Sequence, residues 1–146
     1  MYQHILVPVD GSTTSERALQ EAIRLAQQQN SQLQLIHIVE DVFLPDTETY
    51  LDYAALQEVM KRNGENILEH AKNTALSANI KAQTKLLETA GERIATTIIA
   101  EAQRWPADLI VIGTHGRSGF NHLLFGSVAE GVVRTAQTPV LLIRGS

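Results

Sequence analysis

Short apolar runs alternate with longer amphipathic stretches along the 146 residues. That alternation constrains the fold more than any other feature. Ile5-Leu6-Val7-Pro8-Val9 reads as a buried strand ending at Asp10. Pro8 has no N–H for a ladder, so it belongs at the strand's end. Residues 14–29 carry Ala18, Leu19, Ala22, Ile23, Leu25 and Ala26 at helical spacing. Leu33–Val39 reads as a second strand, 40–50 as a loop, and 51–78 as a helix with Leu56, Met60, Ile67, Leu68 and Ala71 inward. Gly64 interrupts that helical pattern. Ile80–Leu87 is a third strand, more polar and so placed near an edge. Residues 91–104 form a helix, Leu109–Ile112 a central strand, 113–126 a loop, 128–137 a helix, and Val140–Ile143 a last strand. Trp105-Pro106 is a helix stop. Strands alternating with helices imply one α/β domain, 1–146, with a mostly parallel sheet covered on both faces. Ligands in such folds bind beyond the carboxyl ends of the strands.

Composition narrows the function. The net charge is −4 and there is no cysteine. A general nucleic-acid binder or an anionic-membrane binder carries the opposite balance. Disulfides, thiolate metal sites and cysteine nucleophiles are excluded. Met1-Tyr2-Gln3-His4-Ile5 lacks the charged start of a signal peptide, and the apolar runs are too short to span a bilayer. The expectation is a soluble, cytoplasmic chain without membrane insertion.

Three places follow strands. The most informative holds Gly113, Gly116 and Gly126 in the spacing G-x2-G-x9-G-S, ending at Ser127. Glycines let a ligand approach backbone amides, and a helix N-terminus favours phosphate. Between Gly113 and Ser127 lie Arg117, His115 and His122 but no acid, which makes a local anion site in an acidic chain. A plain turn with a capped helix fits equally well. Ser127 with Glu130, Thr13 with Glu16, and Thr89 with Glu92 all have capping-box spacing. Asp10, in Asp10-Gly11-Ser12, has a carboxylate suited to a ribose hydroxyl pair or to capping its own turn, and the turn is the commoner use.

Other sites are absent. No Gly-Lys pair makes a Walker loop, and the first strand–helix turn lacks the dinucleotide fingerprint. Glu88 follows the third strand, but Lys61, Lys72, Lys81 and Lys85 stand too early for a phospho-acceptor site. His4, His37, His70, His115 and His122 do not form a zinc-protease pattern, and His4 and His37 read as core-edge residues. No Gly-x-Ser-x-Gly elbow exists.

The chain resembles the universal stress proteins, in their ATP-binding branch. The resemblance rests on residues 5–12, on Ala107–Gly116, on Gly126-Ser127-Val128-Ala129 and on Pro139-Val140-Leu141-Leu142. It implies an open, doubly wound, Rossmann-like sheet of five parallel strands in the order 3-2-1-4-5 with four helices. It also implies an adenine nucleotide, ATP or else ADP or AMP, with Mg²⁺ or Mn²⁺ carried by the phosphates. By position, Pro8 and Val9 would wall the base, Asp10 would face the ribose, and the backbone of Val39 would reach the adenine edge. Ile112 and Gly113 would flank the ribose and α-phosphate. Gly116, Arg117, Gly126, Ser127 and Val128 would surround the phosphates.

In that order the wholly apolar Val140–Ile143 lies at a sheet edge, a liability that proteins cover or pair. The expectation is a two-fold homodimer through this strand. The function implied is regulatory, in a stress response, through a nucleotide-dependent state and a protein partner. A slow nucleotide hydrolase or phosphotransferase and a nucleotide-independent interaction module are the alternatives.

Overall fold

The computed structural model describes residues 1–41, 50–114 and 126–145, with the backbone alone for 50–52. The order is β1 His4–Pro8, α1 Thr13–Gln29, β2 Gln32–Val39, α2 Tyr50–Ser77, β3 Gln83–Glu88, α3 Ile94–Arg104, β4 Leu109–Gly113, α4 Ser127–Thr135 and β5 Val140–Ile143. All paired strands are parallel, in the order β3-β2-β1-β4-β5. This is the Rossmann-like architecture the resemblance implied.

Alternation along the central strands builds two cores. Ile5, Val7, Leu109 and Val111 face one side, against Ala18, Leu19 and Ala22 of α1 and Leu68, Ala71 and Ala75 of α2. Leu6, Ile110 and Ile112 face the other, against Ile98 and Ala102 of α3 and Ala129 and Val132 of α4. A strand buried on both faces must be apolar at every position, which is why these runs do not alternate with polar residues.

Several boundaries differ from the sequence expectation. β3 starts at Gln83 rather than Ile80 because α2 ends in a tight turn. Asn79 takes φ 63 there, and the Ile80 N–H donates to the Ala75 carbonyl at 2.9 Å. α2 is continuous through Gly64. A Cβ built at Gly64 would stand 2.6 Å from Cδ2 of His37 and 2.8 Å from Cδ1 of Leu86. Glycine is there so that the helix can lie close on the sheet, an advantage that outweighs its roughly 1 kcal/mol helix penalty. The inward face of α2 runs through Gly64, Leu68, Ala71 and Ala75, and Leu56 lies off it at 41% exposure. Met60 and Ile67 are half-buried.

The three capping boxes are not formed as read. Ser12, not Thr13, caps α1, its Oγ accepting from the Ser15 N–H at 3.2 Å. Arg93 occupies the N-cap of α3, while Thr89 Oγ1 accepts from the Asp41 N–H at 3.1 Å. Gly126 occupies the N-cap of α4, which puts Ser127 inside the first turn with no side-chain cap.

The polar edge strand β3 is pinned from both faces. Lys61 of α2 meets Glu88 at 2.9 Å, and Glu101 of α3 meets Lys85 at 3.3 Å. The hydrogen bond from Arg104 is the first cause that holds the buried Glu101 carboxyl below its ordinary range, with Lys85 adding to it. The hydrogen bond to Glu88 raises Lys61. At the opposite edge, β5 is half-buried along its length. No helix among the described residues is long and apolar enough to cross a membrane.

Candidate functional site

The strand order reverses between β1 and β4, the central pair. Their pairing spans only Ile5↔Leu109 and Leu6↔Ile110, although β1 continues to Pro8 and β4 to Gly113. β1 stays paired with β2 as far as Pro8↔Ile36, and β4 with β5 as far as Gly113↔Ile143. Past Leu6 the two central strands therefore part, and a crevice opens at their carboxyl ends. This is where parallel α/β sheets offer a ligand its place.

The crevice encloses about 190 Å³, several times the roughly 30 Å³ share of one water. Of the residues named from the sequence, Pro8, Val9, Asp10, Ile112, Gly113, Gly126, Ser127 and Val128 all line it. Val39 does not. Its side chain is buried, and its carbonyl accepts from the Thr89 N–H at 3.2 Å. Gly116 and Arg117 lie outside the described residues, as do His115 and His122.

Each wall has its own chemistry. The floor is aliphatic: Ile36 and Ile38 come from β2, Ile94 and Ile98 from α3, and Ile112 from β4. The β1–α1 turn supplies Asp10. Its Oδ1 accepts from the Ser12 N–H at 2.9 Å, and its own N–H donates to Ser15 Oγ at 3.1 Å. The turn reading of Asp10 is thus observed. Across the crevice stands the first turn of α4, whose leading N–H groups have no intrahelical partner. Among the described residues no side chain caps them.

Thr114 joins these parts. Its N–H donates to Ile143 of β5 at 2.9 Å, and its carbonyl accepts from the Gly126 N–H. Those bonds tie Thr114 to β5 and to the start of α4. Gly113 has a packing reason of its own, because an added Cβ would lie 3.0 Å from the Thr14 backbone.

Sequence reasoning missed Ser15, Ile36, His37, Ile38, Ile94, Ile98, Thr114 and Ala129 in the lining. The isoleucines lie in segments read only as a strand and a helix, and they belong to or pack against the core as well. Their only signal was position, at a strand's carboxyl end or in the first turns of a helix.

The pattern of the Universal stress protein family matches residues 1–144. The chain belongs to the universal stress protein family. Family members with whole-chain similarity include Universal stress protein MJ0531 of Methanocaldococcus jannaschii, 32% identical over 144 residues that cover 99% of this chain and 83% of that one. The solved structure of universal stress protein UspA from Lactobacillus plantarum superposes with a TM-score of 0.86 at 25% identity, covering 98% of each chain. A universal stress protein solved in complex with cAMP is similar at a TM-score of 0.73 and 26% identity, over 99% of each chain.

Proposed function

We propose that this universal stress protein is a cytoplasmic adenine-nucleotide-binding regulator whose state in a stress response follows the occupancy of the β1/β4 crevice. One observation carries the reading. The central strands part at the point of order reversal, between an aliphatic floor and a helix N-terminus with no side-chain cap. An aliphatic slot suits the face of a purine, and a free helix N-terminus suits a phosphate. The N-terminus of α1 is capped by Ser12, whereas α3 and α4 begin without a side-chain cap, and α4 brings Gly126, Ser127 and Val128 to the crevice. The relative solved with cAMP supports the adenine nucleotide class.

The base lies on Ile36, Ile38 and Ile98, between Val9 and Ile112. Asp10 accepts from the ribose hydroxyls. The amides of Ser127 and Val128 donate to phosphate, and Gly116 and Arg117 complete that end. Mg²⁺ or Mn²⁺ is carried by the phosphates of ATP. The half-buried, wholly aliphatic β5 pairs with the same strand of a second copy.

Protein purified without added ligand, then denatured and extracted, should release an adenine nucleotide identifiable by mass spectrometry. Calorimetric titration with ATP, ADP and AMP, with and without Mg²⁺, should show saturable binding. A clean extract together with no heat from any of the three would refute the reading and leave an interaction module. In sedimentation at micromolar concentration the chain should run as a dimer, and a monomer would overturn the β5 pairing.

A further inference from the structure

Within the crevice lining, β2 contributes one residue whose side chain leaves the aliphatic pattern. His37 lies between Ile36 and Ile38, and its Nδ1 is 2.8 Å from the Val9 carbonyl. A carbonyl only accepts, so Nδ1 carries the hydrogen. The bond sits where the β1–β2 register ends, at Pro8↔Ile36, and one residue past the last backbone bond between them, from the Val9 N–H to the Ile36 carbonyl at 2.8 Å. The imidazole therefore extends the hold of β2 on β1 by one residue, to the point where the chain turns into Asp10.

The ring is held from the other side by α2. Gly64 is buried against it, and a Cβ there would stand 2.6 Å from Cδ2 and 3.2 Å from Nε2. No side chain larger than hydrogen fits without moving the imidazole. A histidine donor, a glycine in mid-helix and a carbonyl at the crevice wall thus form one contact chain.

We propose that His37 is a positioning residue for the crevice, fixing Val9 and Asp10 against base and ribose, and that Gly64 is the space it requires. The inference rests on the nucleotide reading for its ligand, but its geometry does not. It concerns the Nδ1 atom of His37, which acts through the Val9 carbonyl.

The test compares His37→Leu, which removes the donor, His37→Asn, which returns a short N–H donor, and Gly64→Ala, which crowds the ring. AMP is the titrant, and circular dichroism confirms the fold. His37→Leu and Gly64→Ala should lose about threefold to tenfold in AMP affinity, the range of one neutral hydrogen bond, and His37→Asn should recover most of it. Wild-type affinity in folded His37→Leu would overturn the proposal, as would equal losses in His37→Leu and His37→Asn.

Nitrogen NMR of histidine-labelled wild-type protein gives a second readout that needs no variant to fold. It should show the hydrogen of His37 on Nδ1; a hydrogen on Nε2 alone refutes the bond. If the wild-type chain binds none of ATP, ADP and AMP, the nucleotide reading falls by itself. The amide resonances of Val9 and Asp10 then decide the positioning role. They should move in His37→Leu and stay in His37→Asn, and identical spectra for the two variants would refute it.

Discussion

The two ends of the sheet are built to opposite purposes. At the amino end the chain ties itself shut. The Asp108 carboxylate accepts from the Gln3 and His4 N–H groups at 2.9 and 3.0 Å, and the Asp108 N–H donates to the His4 carbonyl at 2.9 Å. The Ser31 hydroxyl donates to the Tyr2 carbonyl at 2.5 Å, and the Gln32 N–H to the Gln3 carbonyl at 2.8 Å. His4 and Trp105 meet in a T-shaped contact at 5.0 Å between ring centres. At the carboxyl end β1 and β4 stop pairing after Leu6↔Ile110 and a crevice takes the place of the ladder. The same strands are thus closed where the fold is held and open where a ligand enters. Backbone groups satisfied by the protein leave nothing for a ligand, and those left at α4 do.

That division can be broken most sharply at Gly113, which belongs to the open end yet packs as framework. Gly113→Ala sets a Cβ 3.0 Å from the Thr14 backbone, and overpacking of this kind costs about 1–3 kcal/mol. Urea unfolding should show that loss, exceeding any loss of nucleotide affinity. Asp108→Ala sharpens the division from the other side. It removes two amide partners of one carboxylate, at about 2 kcal/mol in unfolding free energy. AMP affinity should not change, and a parallel loss of binding would show that the ends are coupled.

Asp10→Ala is the counterpart at the open end. Without its ribose partner, AMP should bind about tenfold more weakly, while inorganic triphosphate keeps its affinity. Equal losses for both would assign Asp10 to its turn with Ser12 alone. The smallest effect belongs to acid. Glu101 has a lowered carboxyl in the fold, so its contribution is complete above the ordinary carboxyl range near 4.3 and is lost as pH falls through the lower native value. Glu101→Gln should flatten the acid limb of the unfolding curve and leave AMP affinity unaltered, because Glu101 braces α3 to β3 and lies outside the crevice lining.

The sheet was legible in the sequence because buried parallel strands must be apolar throughout. Leu109–Ile112 and Ile5–Val7 had little other use. The strand order was not legible from periodicity and came with the family resemblance. Gly64 illustrates the limit. In sequence it weakens a helix; in the structure it is the condition for packing α2 on His37 and Leu86. Capping failed for a related reason. Ser127 and Glu130 have the spacing of a cap, but the chain enters α4 one residue earlier, so that Gly126 takes the N-cap position and the first turn stays uncapped. Among the crevice residues, those in turns and after strands were legible, since Asp10, Gly113 and Gly126 punctuate the pattern. Ile94, Ile98 and His37 were not, because a core residue and a ligand-lining residue share the same periodicity.

The most direct test of the account is an amide NMR titration of the wild-type chain with AMP. Resonances of Val9, Asp10, Gly113, Thr114, Ser127 and Val128, at the open end, should shift together and saturate. Those of Gln3, His4 and Asp108, at the closed end, should stay in place. A spectrum unmoved by millimolar AMP, ADP and ATP alike, or shifts centred away from the β1/β4 crevice, would contradict it.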